Sequence, residues 1–351
     1  MSKVLQKDVS EQLFVGIDVH KHKWHVTIQT QDVELFCGSI PGNWESLKRI
    51  LDRYPDCQIQ AVYEAGYFGF WLHDHLQEAG IDCLVTPPSL LPMEYGNRVK
   101  TDKRDSRKLS HLLSKSMLKR VHVPSREEQY HRQVGRRRRQ LVRDRVRYQS
   151  RIKAELQFYG IQLEEPHGKW SQVYFENLNR IRFKNRFMNQ SFKQLLQCYA
   201  YMDKQIAKQT KLLKELSCTK KYKDRIKILT SIPGVGLITA MEVLLELQDV
   251  ERFQKADQIT AYVGLTPSQY SSADKIRMGR ITKIGKNTLR SVLVEASWTL
   301  ISKDIELRMK YERIKNRAGG KRAIVAIART LLIRMRRILI NEELYVPRLA
   351  N

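Results

Sequence analysis

The chain lacks the features that would place it in or across a membrane. No run approaches the roughly 18 apolar residues of a bilayer span, and the N-terminal MSKVLQKDVSEQ has no apolar signal core, so a cytoplasmic protein is expected. Cysteine is sparse. Cys37, Cys57, Cys83, Cys198 and Cys218 are odd in number, widely spaced and never form a CxxC pair, which excludes a disulfide framework and a zinc ribbon. Negative charge is scarce too: 37 acidic residues face 63 basic ones among 351, a net charge of +26. Such a surface binds phosphate backbones through counterion release, so nucleic acid is the expected partner. At this length, two or three domains with real cores are expected.

The pattern along the chain changes twice. LFVGIDVHKHKWHVTIQT (13–30) alternates apolar and polar residues about a short basic tip, and VELFCGSI (33–40) follows as a third extended run. NWESLKRILDRY (43–54) has helical spacing and an N-cap candidate in Asn43. CQIQAVYEA (57–65) reads as a strand, GFWLHDHLQEAG (69–80) as a helix closed by Gly80, and IDCLVTPP as another strand. That order predicts a mixed α/β sheet of the RNase H-like type over residues 1–124. Residues 125–222 are poor in glycine and proline and predict a long helical insert. Its stripe Leu195, Tyr199, Met202, Ile206 and Leu213 suits an antiparallel hairpin or an oligomerising coiled coil. Residues 223–351 predict a mainly helical domain around one irregular loop, 264–287. They open on ILTSIPGVGLITAMEVLLEL, a helix-hairpin-helix-like turn whose Gly234 and Gly236 would bring backbone N–H groups to a phosphate.

Four acids stand out against this basic background. Asp18 interrupts a strand, where Asp is a poor fit. Glu64 ends another strand. Asp102 and Asp105, in KTDKRDSRKLSHLL, are spaced i, i+3 at a helix start and share one face. A helix N-terminus accounts for the last two unaided, as cap and dipole complement, but nothing comparable accounts for Asp18. Converging carboxylates repel one another unless a divalent cation neutralises them, and Mg²⁺ or Mn²⁺ beside a scissile phosphate is the natural use. Lys100, Lys103 and Arg104 beside them would steer the phosphate. Arg136, Arg137, Arg138, Arg139 and Arg143 form a cationic run without interleaved acids, which favours a polyanion contact over a merely solvated face. Arg277, Arg280, Lys283 and Lys286 line the 264–287 loop and are further backbone-contact candidates.

GIDVHK, YEAGY and VKTDKRDSRKLSHLL, followed by SIPGVG, YVGLTP, YSS and GRITKIGKNTLR, resemble the DEDD transposases of the insertion sequence 110 family, relatives of the Piv-type DNA invertases. The likeness runs from about residue 13 to residue 340. It implies a RuvC-like (RNase H fold) domain joined through a coiled coil to a transposase domain, with Asp18, Glu64, Asp102 and Asp105 as the metal-holding acids. It also implies a serine nucleophile a few residues after GLTP, at Ser272. Ala273 stands where the family often has glycine, and Ser271 precedes, so a one-residue shift stays open. The implied activity is DNA recombination through a phosphoserine intermediate. The implied partners are target and donor DNA, a structured noncoding bridge RNA, and further copies of the chain as a homodimer or homotetramer. A Holliday-junction resolvase using water, and a noncatalytic nucleic-acid-binding regulator, are the alternative readings.

Overall fold

The structure, a computed structural model, describes residues 11–92, 102–163, 170–272, 275–282 and 284–347; the side chains of residues 102, 103, 270–272 and 275–278 are outside that description. The chain separates into two compact units, 1–124 and 125–351.

In the first unit, β1 (Gln12–Val19), β2 (Lys23–Gln29) and β3 (Glu34–Pro41) form the expected meander, and β4 (Gln58–Glu64) and β5 (Asp82–Thr86) extend it. Helix α1 (Trp44–Leu51) precedes β4, and α2 (Trp71–Glu78) links β4 to β5. The sheet order is β3-β2-β1-β4-β5, with β1, β4 and β5 mutually parallel and β2 antiparallel to both neighbours. Asn43 caps α1 as its spacing predicts, accepting from the Ser46 amide at 2.8 Å.

Strand alternation gives the sheet two different faces. Leu13, Val15 and Ile17, with Trp24, Val26 and Ile28 of β2, enter the main apolar cluster of the unit. The opposite face carries Phe14, Gly16 and Asp18, and α3 (Asp102–Ser114) lies on it, burying Leu109 and Leu113 against Phe14 and Val62. Gly16 makes this approach possible: a Cβ there would stand 2.1 Å from the Ser106 carbonyl oxygen and 2.5 Å from the Ser110 nitrogen. Buried polar groups then fix the helix in register. Ser106 Oγ lies 2.9 Å from Thr27 Oγ1 and 3.0 Å from His25 Nδ1, while Ser110 Oγ donates to Gln29 Oε1 at 3.2 Å.

The second unit opens with α4 (Arg126–Phe158), which runs antiparallel to α6 (Arg186–Ser217), with α5 (Gln172–Arg180) between them in sequence. Gln209 meets the Val134 carbonyl near one end of the pair and Arg145 meets Asp203 further along. One small core gathers Ile152, Leu156, Tyr174, Leu178, Phe192 and Leu196. A second, larger core belongs to α7 (Lys223–Thr230), α8 (Leu237–Leu247), α9 (Ala256–Val263), α10 (Asn287–Lys303), α11 (Ile305–Ala318) and α12 (Gly320–Ile340), and it also takes in Leu213 of α6. Between α9 and α10, β6 (Pro267–Ser272) and β7 (Lys275–Ile281) pair antiparallel. The irregular loop expected over 264–287 is therefore a hairpin. Its residues are too polar to show the period-2 burial that marks a strand in sequence, and pairing of backbone groups makes the strands instead. Among the described residues no helix is long and apolar enough to cross a membrane.

Gly16→Ala should destabilise the first unit by about 1–3 kcal/mol, the usual cost of overpacking. Gly66→Ala, whose Cβ would meet nothing closer than 3.9 Å, should stay within about 0.5 kcal/mol of wild type. Urea unfolding of the two variants makes the comparison.

Candidate active site and nucleic-acid interface

Register brings the two strand acids level. Gly16 pairs with Val62 and Ile17 with Tyr63 across the parallel β1–β4 ladder, so Asp18 and Glu64 follow at the same height. Gln60, Val62 and Glu64 alternate onto the face that Phe14, Gly16 and Asp18 occupy, the one covered by α3. Helix α3 runs antiparallel to β1. Ser114 lies by Gln29, the partner of Phe14, whereas Ser106 lies by His25, the partner of Asp18. The first turn of α3, with Asp102 and Asp105, therefore faces the strand end that holds Asp18 and Glu64.

His20 Nε2 stands 3.1 Å from Asp18 Oδ2. The chain beyond Glu64 is pinned by the Ala65 amide on the Thr86 carbonyl at 2.8 Å and by the buried Tyr63 hydroxyl, which donates to the Gly69 carbonyl at 3.2 Å. Burial pushes the Tyr63 phenol well above its ordinary value. Among the described residues no group of three His, Cys, Asp or Glu side chains is close enough to hold a metal ion; the Asp102 side chain lies outside them. Of the basic residues expected here, Arg104 is exposed on α3, Lys100 lies outside the described residues, and so does the Lys103 side chain.

Ser272 is the last residue of β6, its backbone opposite Lys275 of β7. The side chains of Ser271, Ser272 and Arg277 are outside the description, as is Lys283, while Arg280 is exposed. What positions the hairpin is its base, a feature that sequence reasoning missed although three glycines marked it. Gly264 caps α9 at φ +75°, and a Cβ there would lie 2.3 Å from the Ile284 carbonyl oxygen. Gly285, at φ +114°, passes equally close to the Tyr262 carbonyl. Gly279 leaves room for Ser268, whose hydroxyl would otherwise be 2.2 Å away. Arg290 Nη1 closes the base by donating to the Val263 carbonyl at 2.8 Å.

The arginine run divides by helix face. Arg132, Arg136 and Arg139 recur at helical spacing along α4 and meet Glu246 of α8, whose side chain is 2% exposed. Arg136 grips it with two bonds of 3.1 and 3.2 Å, Arg139 adds one of 2.7 Å, and Lys286 Nζ stands at 3.9 Å. Burial alone would raise the Glu246 carboxyl, but the Arg136 and Arg139 hydrogen bonds outweigh it and hold the pKa at about 2. Glu242, one turn earlier, is raised by burial and faces Arg139 Nη1 at 3.7 Å, too far for a hydrogen bond. Gly135 permits the contact, since a Cβ there would press on Leu245 Cδ1 at 2.9 Å. Arg136 and Arg139, expected at a polyanion surface, are thus engaged inside the fold, because the acids missing from the run arrive from α8. Arg138 donates to Thr210 Oγ1 at 2.8 Å, whereas Arg137 and Arg143 are exposed. Lys286, likewise expected at a backbone, is half-buried, with its ammonium pKa lowered by that burial.

Gly234 and Gly236 differ in kind. Gly234 has φ +87°, and a Cβ there would sit 2.6 Å from the Ala296 carbonyl oxygen, so packing of the turn on α10 demands glycine. Gly236 starts α8 with no heavy atom near its open side. The next amide back, Val235 N, is already used on the Ile232 carbonyl at 3.0 Å.

Comparison with known proteins adds an independent observation. Residues 15–161 match the model of IS110-type DEDD transposases, and residues 226–312 match the model described as "Transposase IS116/IS110/IS902 family". A Sinorhizobium fredii protein carrying a transposase name, y4qE, is 26% identical over 93% of this chain and 82% of its own length. The transposase for insertion sequence element IS1533 of Leptospira borgpetersenii is 24% identical over 83% of this chain and 86% of its own. That for IS1111A of Coxiella burnetii is 26% identical over 70% and 67%.

Glu246→Ala should cost about 3–5 kcal/mol, because it leaves buried guanidinium groups without their counter-charge. The sign of the pH dependence follows from the depressed folded pKa: Glu246 stabilises above its unfolded value near 4.3, and that stability is lost as pH falls toward 2. Thermal melts of wild type against Glu246→Gln over that window should show the variant with the shallower slope. Replacing Arg137 and Arg143 by glutamine should leave the melt unchanged and reduce the salt slope of DNA binding by roughly 0.7–0.9 per lost phosphate contact.

Proposed function

We propose that this chain, which belongs to the IS116/IS110/IS902 family of transposases, is the DNA recombinase of a mobile insertion sequence, cutting and rejoining strands through a phosphoserine link. The observation that carries the reading is the level pair Asp18 and Glu64 on the face against which α3 begins. A glycine-dependent approach of a helix backbone to a strand, followed two residues on by a poor strand former, is a costly arrangement that a hard cation at the strand end would repay.

The donor set fits such a cation: oxygen ligands alone, from two strand ends and one helical turn, suit Mg²⁺ or Mn²⁺. When bound, the ion supplies Lewis-acid neutralisation of charge developing on the phosphate. Asp18, Glu64, Asp102 and Asp105 would hold it, and Arg104 would help to orient the strand. Ser272 Oγ attacks phosphorus, its proton passing to a carboxylate or solvent base. As the Oγ–P bond forms, the P–O3′ bond breaks and the departing oxygen is protonated to a free 3′-hydroxyl. Because the phosphodiester becomes a phosphoserine ester rather than a free phosphate, a 3′-hydroxyl on another strand reverses the step and rejoins DNA without ATP.

The partners proposed are target and donor DNA, a structured noncoding RNA that selects them by base pairing, and a second or further copies of the chain, with the paired helices α4 and α6 as a coiled coil between protomers. Three domains, 1–124, 125–222 and 223–351, carry the acids, the insert and the serine. The protein would act in the cytoplasm.

Asp18→Ala should abolish strand cleavage in Mg²⁺ while leaving DNA binding within about twofold, since it touches none of the basic surface; retained cleavage would sink the acid site. Wild type with its RNA and DNA should yield a denaturation-resistant adduct that maps to residues 264–287, and Ser272→Ala should form none. Ser271→Ala should retain it, more slowly, because a misplacement of about 1 Å near the chemistry can cost 10²-fold. An adduct lost only in Ser271→Ala moves the nucleophile by one residue. No adduct in any variant makes water the nucleophile.

A further inference from the structure

Beyond Glu64 the chain presents an aromatic pair that neither the core nor the proposed chemistry uses. Tyr67 is 85% exposed, and its ring lies 4.1 Å, centroid to centroid, from that of the half-buried Phe68. An exposed tyrosine on an ordinary loop carries no message. This loop is not ordinary, because its backbone is fixed on both sides. Ala65 is bonded to β5, the Tyr63 hydroxyl holds the Gly69 carbonyl, and the Gly69 amide returns to the Gly66 carbonyl at 3.3 Å. Tyr67 is displayed from a rigid frame three residues after a proposed catalytic acid.

The neighbouring strand end is built the same way. Between β1 and β2 the turn His20-Lys21-His22 leaves all three side chains exposed, yet its backbone is held. The Trp24 indole donates to the His20 carbonyl at 3.0 Å and the Gly42 amide to the His22 carbonyl at 2.9 Å. Trp24 in turn packs on Trp71, with 5.6 Å between ring centroids, at the start of the helix that the Tyr67 loop enters. One indole contact therefore joins a cationic turn to an aromatic loop, at the sheet end where Asp18 and Glu64 stand.

We infer that Tyr67, backed by Phe68, is a stacking platform for an unpaired base of the DNA strand whose phosphate enters the acid site, with Lys21 of the β1–β2 turn on the adjoining backbone. The inference rests on the acid-site reading for its location. An aromatic face accepts any base, and a cation beside it tracks the sugar-phosphate chain, the combination that single-strand-binding grooves use. A duplex keeps its bases stacked on one another and gains nothing from Tyr67. The platform thus favours a strand that has already been opened, and it holds the nucleotide next to the scissile bond in place while the phosphate is oriented. Tyr67 is a positioning residue in this role.

The test uses the full chain and two probes, an oligothymidine strand and a duplex of equal length, at raised ionic strength so that phosphate contacts are screened while stacking persists. Tyr67→Ala should weaken single-strand binding by about 5- to 150-fold, with duplex affinity and salt slope unchanged, and Tyr67→Trp should restore it. Photocrosslinking with 5-iodouracil in the oligothymidine should attach it to the peptide containing Tyr67. Equal affinities of wild type and Tyr67→Ala for the single strand, an equal loss on the duplex, or a crosslink that maps only elsewhere would each overturn the platform. Asp18→Ala, assayed in parallel, separates the two ideas: cleavage surviving in that variant refutes the acid site whatever Tyr67 does, and loss of cleavage beside an inert Tyr67 refutes the platform alone.

Discussion

The contact of a helix backbone with a bare strand at Gly16 is the constraint on which the first unit depends. Without a Cβ at that position, the Ser106 carbonyl and the Ser110 amide can approach the sheet closely enough for Ser106 Oγ to reach both Thr27 and His25. Those bonds set the longitudinal register of α3, and register determines which strand end its first turn faces. A slide by one turn, about 5.4 Å, would carry the first turn of α3 away from the strand end that holds Asp18 and Glu64. Buried polar groups contribute modest net stability, but they penalise every alternative register in which they would go unpaired.

A comparable role falls to Glu246 in the second unit. Four consecutive arginines on a helix repel one another, and a neutral neighbour would leave that repulsion unrelieved. Glu246 accepts from two of them at once while nearly fully buried, and Arg132 and Lys286, at the start of α10, bring two more cations within 4 Å. The same acid thereby ties the long helix α4 to the segment leaving the serine hairpin, and the Tyr262 hydroxyl reinforces the joint by donating to the Glu246 carbonyl at 3.1 Å.

Much of this was legible in sequence, for stated physical reasons. Period-2 alternation in 13–40 and helical spacing in 43–54 report burial directly, and the strands and first two helices occur in the order expected. Asp18 stood out because Asp is a poor strand former within that run. Two things were not legible. The hairpin over 267–281 is mostly polar in sequence and shows no apolar period, so its strands arise from backbone pairing and from glycines at its base. The partner of Arg136 lies 110 residues away along the chain, and no local pattern marks an acid that only the packing of α8 on α4 brings near.

A net charge of +26 is a property of the whole chain, whereas binding depends on the cations left exposed after folding. On α4 the two populations interleave: Arg136 and Arg139 face α8 and are consumed by Glu246, while Arg137, between them in sequence, points to solvent. A helix turns about 100° per residue, so adjacent arginines necessarily occupy different environments and serve different ends. The inward set forms buried pairs that salt screens little, and the outward set lies open to screening by the ions of the solvent. Charge spent on folding and charge left on the surface therefore part company as ionic strength increases, and the joint between α4 and α8 persists where the exposed arginines are screened.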